Sequence, residues 1–201
     1  MNKRIFLTAL LCFCFTGPAM AAGDAAAGKA ASATCAGCHG ADGKAILPEY
    51  PNLAGQHASY IAKQLTAYRD GERENQLMSP MAAALTDQNI LDLAAYYAAM
   101  EPIKGVASEE NLTLGENIYR GGIASADIAA CSGCHSPSGK GNPAAAYPVL
   151  SGQNQAYLAA QLKLFRSGAR NNDPNGMMRA LAHRLSDAEI DAVANYAAGL
   201  H

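Results

Sequence analysis

The stretch CAGCHG, Cys35 to Gly40, returns 96 residues later as CSGCHS, Cys131 to Ser136. Two cysteines and a histidine at one fixed spacing admit three chemistries: a zinc clip, a redox dithiol, or a point of covalent haem attachment. A structural zinc site draws on four Cys or His ligands, so it would tie the two stretches together through their cysteines and leave both histidines without a role. A redox Cys-x-x-Cys normally accompanies a βαβ pattern, and this chain shows none. Cys-x-x-Cys-His is the attachment signature of c-type haem. On a helix the two cysteines share a face and the histidine lies beside them, so thioether bonds to two vinyl groups bring the imidazole under the iron. That reading uses every residue of the motif, in both copies.

The chain opens MNKRIFLTALLCFCFTGPAMA, with Lys3 and Arg4 ahead of an apolar run that breaks at Gly17 and Pro18. This is the pattern of a secretory signal peptide over residues 1–21, removed before Ala22. Cys12 and Cys14 leave with it, so Cys35, Cys38, Cys131 and Cys134 are the working cysteines. An exported protein also sits in an oxidising compartment, which disfavours a site built on reduced thiols. No later segment offers the roughly 20 uninterrupted apolar residues of a membrane helix, and a soluble periplasmic protein is expected. Removing Lys3 and Arg4 from the 15 basic residues leaves 13 against 17 acidic ones, and 13 − 17 gives −4. Nucleic-acid binders normally carry a basic face, so that class is set aside.

The repeat reaches far beyond the cysteines. YPNLAGQ (Tyr50 to Gln56) becomes YPVLSGQ (Tyr147 to Gln153), YRDGER (Tyr68 to Arg73) becomes FRSGAR (Phe165 to Arg170), and LTDQNILDLAAYYA (Leu85 to Ala98) becomes LSDAEIDAVANYAA (Leu185 to Ala198). Segments in one order with small changes of offset are two homologous units with loop insertions. The helical pattern stops in EPIKGVASEEN, Glu101 to Asn111, which gives an N-terminal domain over 22–102, a linker over 103–111 and a C-terminal domain over 112–201. Units of about 80–90 residues bury limited apolar surface, and a large flat cofactor in each would complete its core.

Both units read as helical throughout. An Ala-rich helix is predicted over Asp24–Ala36, with its equivalent starting at Gly115–Tyr119 ahead of a YRGG insertion. Apolar and aromatic residues at spacings of three and four predict helices over Gln56–Asp70 and Gln153–Ser167, each stopped by a glycine, Gly71 or Gly168. The final helices start at Thr86 and Ser186; Ser186 with Glu189 forms a capping box, and Thr86 with Asn89 a weaker one. Sustained period-2 alternation is absent, so no sheet is expected.

Haem iron held by His39 or His135 has one further axial position, and methionine is the candidate for it. Met78 lies seven residues before Leu85 and Met178 seven before Leu185, whereas Met81 corresponds to Leu181 and Met177 to Leu77. Register therefore selects Met78 and Met178, both expected in loops before the last helix, with Met81 and Met177 as the alternatives. A ligating histidine usually donates its other ring N–H to a fixed acceptor, and the carbonyls of Pro51 and Pro148 are suitably placed. Arg69, Arg73, Arg166 and Arg170 recur in register and read as solvated charges at helix ends, or else as partners of haem propionates. Tyr96, Tyr97 and Tyr196 read as core, and His57, His183 and His201 as surface residues.

The signal peptide, tandem CxxCH with YPxLxGQ, Y/F-R-x-G-x-R, the methionine segment and the L-[ST]-D-x-x-I helix together resemble the dihaem cytochrome c4 family, over essentially the whole mature chain. The interval from Arg73 to Met78 is shorter than that family's first domain usually has. The resemblance implies two all-helical cytochrome c-like domains packed with their haem edges facing. It also implies a periplasmic shuttle from a quinol-oxidising complex to a terminal oxidase, at times loosely attached to the membrane. With His and Met on both irons neither metal is open, so electron transfer is expected and enzymatic activity is not. The competing class is a dihaem peroxidase, or a haem subunit feeding a dehydrogenase; a peroxidase needs an open iron under an acid–base group, and the sequence offers no such pair. A small unit completed by its cofactor is expected to lose helical structure without it. Circular dichroism of haem-free protein tests this, and a full native helical signature there would contradict it.

Overall fold

A computed structural model describes residues 22–201, so the signal-peptide reading of 1–21 lies outside the described residues. The first domain contains α1 (Ala25–Ala31), α2 (Ala36–His39), α3 (Ala58–Arg69), α4 (Met78–Ala82) and α5 (Asp87–Ala98). The second repeats the series as α6 (Leu112–Gly121), α7 (Ser132–His135), α8 (Gln155–Ser167), α9 (Met177–Ala182) and α10 (Asp187–Ala198). Among the described residues there is no strand, only the isolated bridges Ile123–Ile128 and Asn142–Tyr147. The fold is all-α, as expected.

Local chemistry sets the helix limits. Asp24 caps α1 by accepting from the amides of Ala26 and Ala27. The helix predicted over Asp24–Ala36 is broken in two, because the Ser32 hydroxyl bends back 2.8 Å onto the carbonyl of Lys29 and competes with the helical pattern. Both final helices begin with complete capping boxes. Asn89 serves as well as Glu189, its side-chain oxygen accepting from the Thr86 amide at 3.1 Å. The glycines after α3 and α8 both take left-handed backbone, with φ of 81° at Gly71 and 79° at Gly168.

In each domain the first helix crosses the last one backbone to backbone. A methyl group at Gly28 would lie 2.0 Å from the carbonyl oxygen of Asp92, and at Gly115 2.2 Å from that of Ala192. Glycine is required there by close approach, since no side chain fits between the helices. α3 and α8 then lay Ile61 and Leu158 against the inner faces of α5 and α10, where Leu93, Ile190 and Val193 are almost fully buried. The YPxLxGQ loops of the two domains meet at the interface. There the Asn52 amide group donates to the Gly152 carbonyl at 2.8 Å and Asn154 donates to the Tyr50 carbonyl at 2.7 Å.

The crossing makes a contrast between two glycines of one helix. Gly115→Ala is expected to destabilise the protein by about 2–3 kcal/mol through overpacking against backbone. Gly121→Ala, whose methyl group meets nothing among the described residues within 4 Å, should be neutral to slightly stabilising. Paired thermal denaturation of the holoprotein variants checks the difference.

Candidate cofactor sites

Each CxxCH stretch forms a single helical turn, α2 or α7, with its first cysteine at the N-cap. The turn delivers the histidine inward: His39 and His135 are each 7% exposed. Nδ1 of His39 lies 2.9 Å from the Pro51 carbonyl, and Nδ1 of His135 lies 3.1 Å from that of Pro148. A carbonyl only accepts, so Nδ1 carries the proton and Nε2 keeps a free lone pair. Burial holds both imidazoles below the usual histidine range, so they are neutral near pH 7, the form that binds metal. Tyr50 and Tyr147 flank the two rings at centroid distances of 6.4 and 6.3 Å.

The cysteines do not suit the competing chemistries. Burial pushes the thiol of Cys35 up and that of Cys131 up to about 11, whereas a redox dithiol needs a lowered thiol pKa. Among the described residues no three His, Cys, Asp or Glu side chains converge as a metal cluster. The two CxxC pairs are thus not assembled into a zinc clip.

The methionine segments are helical, which corrects the expectation of loops. Met78 is the first residue of α4 and Met178 the second of α9. Neither N-cap side chain makes a capping bond, but side chains further upstream hold amides at the start of both segments. Asn75 Oδ1 accepts from the amides of Leu77 and Met78 at 3.0 and 2.9 Å, and the Asp173 carboxylate accepts from the Arg179 amide at 3.0 Å. Of the alternatives, Met81 is 44% exposed, and the Met177 sulfur accepts from the Tyr147 hydroxyl at 3.8 Å.

In the second domain a cavity of about 200 Å³ brings Cys131, Cys134, His135, Met177 and Met178 to one almost wholly apolar space. It runs toward the domain interface, where Tyr60, Gln64, Gln161 and Arg170 close it. At that end sits a two-domain polar cluster. Arg73 donates to Gln64 at 2.7 Å and across the interface to Gln161 at 2.6 Å, while Arg170 donates to Gln161 at 2.8 Å and across to Gln64 at 3.0 Å.

Arg73 and Arg170 are each 6% exposed, so the reading of them as solvated charges is corrected. Only Arg69 and Arg166 behave that way, pairing with Asp87 and Asp187 at the helix ends. Among the described residues, neither buried guanidinium has a carboxylate partner. Their field is visible at Tyr60: burial alone would raise that phenol, yet Arg170 and Arg73 outweigh it and hold it below its ordinary value.

Two buried cations without an anion are costly. An apolar plate that carries carboxylates on its edge and is held by thioethers and an imidazole matches both the cavity and the cluster, so the residues around the second-domain cavity fit haem c. Sequence reasoning missed the glutamine part of this cluster, although Gln64 and Gln161 recur in register. It also missed that His57 reaches across the interface, 2.7 Å from the Lys140 carbonyl.

A family model described as cytochrome c matches residues 25–100 and 122–200. A cytochrome c4 of Azotobacter vinelandii is 44% identical over 211 aligned positions, covering 100% of both chains. A thiosulfate dehydrogenase electron acceptor of Stutzerimonas stutzeri is 41% identical, covering 85% of this chain and 80% of its own. The crystal structure of reduced recombinant cytochrome c4 from Pseudomonas stutzeri superimposes with a TM-score of 0.87 at 40% identity, covering 90% of this chain and 100% of that one. Two matched units, a full-length relationship and a shared two-domain architecture together place this chain in the cytochrome c family, as a tandem-domain member of the cytochrome c4 type.

Proposed function

We propose that the chain carries two covalent haem c groups and acts as a periplasmic electron carrier and not as an enzyme. Cys35 and Cys38 would hold one haem and Cys131 and Cys134 the other, with His39 and Met78 as the side chains to the first iron and His135 and Met178 as those to the second. The observation that carries this reading is the histidine geometry: Nδ1 is committed to a proline carbonyl, and Nε2 is left free beside the paired cysteines. When bound, each haem would supply a one-electron ferric–ferrous couple between a reduced donor protein and an oxidised acceptor.

The chain's own residues do the rest. Pro51 and Pro148 fix the tautomer and orientation of the ligating rings. Met78 and Met178 would supply the second protein ligand to each iron, which would keep small molecules off the metal and raise its potential. The apolar walls exclude water, and Arg73 and Arg170 neutralise the propionates where the two domains meet.

The donor and acceptor proposed are a quinol-oxidising complex and a terminal oxidase, with loose peripheral membrane association at most. Among the described residues no helix is long and apolar enough to cross a membrane. A second reading, electron acceptor of a dehydrogenase, is favoured by the relative whose name says it serves thiosulfate dehydrogenase. Stopped-flow reduction by each candidate donor separates the two.

A pyridine haemochrome assay is expected to give two haems per chain. Met78→Ala and Met178→Ala should each remove about half of the methionine-to-iron charge-transfer band and lower one of the two midpoint potentials, while Met81→Ala and Met177→Ala leave the band intact. One haem per chain, or a high-spin component with rapid peroxide turnover in the wild type, would overturn the carrier assignment.

A further inference from the structure

The two glutamines that end the YPxLxGQ loops are buried, Gln56 at 6% exposure and Gln153 at 7%, and each is spent entirely on backbone. Gln153 Oε1 accepts from the amide of Asn52 at 2.7 Å, and its Nε2 donates to the carbonyl of Asn52 at 2.9 Å. Gln56 mirrors this across the interface, with Oε1 accepting from the amide of Val149 at 2.9 Å and Nε2 donating to the Val149 carbonyl at 3.0 Å. Asn52 and Val149 follow Pro51 and Pro148 directly. The amide that each glutamine grips therefore belongs to the same peptide group as the carbonyl that accepts from the histidine ring, 2.9 Å from His39 and 3.1 Å from His135.

A peptide group is one conjugated unit, and a bond accepted from its N–H pushes electron density onto its oxygen. Hydrogen bonds in series strengthen one another in this way, the more so in a dry interior. A more basic carbonyl pulls harder on the Nδ1 proton, gives the imidazole more anionic character and favours ferric over ferrous iron. The grip also fixes the carbonyl in space, because the glutamine binds the polar groups on both sides of the residue that follows the proline.

We infer that control of the two haems is crossed: Gln153, in the second domain, positions and tunes the His39 ligand of the first, and Gln56, in the first domain, positions and tunes the His135 ligand of the second. The inference rests on the proposed roles of His39 and His135 as iron ligands. Interface and cofactor are then linked through four atoms of backbone, and separating the domains would alter both haems at once.

The test uses holoprotein in which each haem potential has been assigned through the Met78→Ala and Met178→Ala variants. Gln153→Leu is expected to favour reduction of the His39 haem roughly threefold and to move the Nδ1–H resonance of His39 in the reduced protein, leaving the His135 haem unchanged. Gln56→Leu should do the reverse, and Asn154→Ala, which removes a different bond across the interface, should shift neither. Should one glutamine variant fail to fold, the other still decides, since each alone makes a crossed prediction. A shift confined to the haem of the mutated domain, equal shifts in both haems, or no shift in either would overturn the inference. Failure of the underlying ligand assignment would show separately, as a wild-type spectrum without histidine-ligated low-spin iron.

Discussion

The bond from each histidine Nδ1 to a proline carbonyl is the contact on which the rest is arranged. The CxxCH turn fixes where the imidazole starts but not how it is rotated, and a free ring could present either nitrogen. A proline at the acceptor position removes one backbone donor and holds φ near −65°, so the loop that carries the carbonyl is stiff. Once Nδ1 is spoken for, Nε2 is the only nitrogen left for a metal. The loop that performs this service is also the loop that meets the other domain, which is why cofactor chemistry and domain packing cannot be treated apart.

The interface has an electrostatic logic of its own. Two guanidinium groups held by the same two glutamine oxygens repel each other, and neutral acceptors alone are a poor return for burying them. Arg73 stacks over Tyr68 and Arg170 over Phe165, with 4.6 and 4.4 Å from guanidinium carbon to ring centroid. These faces hold the side chains in place without supplying the missing negative charge. The arrangement makes physical sense as the positive half of a complex whose carboxylates arrive with the cofactor. It also explains why the arginines recur in the sequence at helix ends that look solvated: only the fold reveals that the second arginine of each pair turns inward.

Much of this was legible in the residues. The CxxCH motifs, the helical periodicity and the in-register repeat pointed to two helical units, and the final helices start at the capping residues the sequence offered. Other features were hidden because they depend on partners distant in the chain. Ser32 reads as one more small residue of an Ala-rich helix until its hydroxyl is seen to terminate it. Asn75 and Asp173 carry no pattern of their own in the sequence, yet they accept from the amides of Met78 and Arg179 in the short helices that carry the methionines. Gln56 and Gln153 stood in the repeat as the first residues of predicted helices with no evident partner, since each of them bonds to the other half of the molecule.

The two halves are equal in backbone and unequal in what surrounds the motif. Gly28 and Gly115 occupy the same crossing, so four residues on, Ser32 and Tyr119 are equivalent, as Tyr97 and Ala197 are on the last helices. The first domain thus fills this space with a tyrosine from its last helix, the second with a tyrosine from its first. Tyr119 packs at a tilt against Tyr196 and gives its hydroxyl proton to the Ser136 carbonyl at 2.7 Å. Tyr97 packs at a tilt against Tyr96, and its hydroxyl is buried with no hydrogen-bond partner among the described residues. Volume is conserved across the duplication while the polar environment is not, because packing constrains the sum of two facing side chains and leaves free which helix provides the larger one. Duplication followed by such exchanges yields two sites with the same histidine–proline geometry and different local dipoles, which is the physical requirement for two redox centres of one lineage to differ.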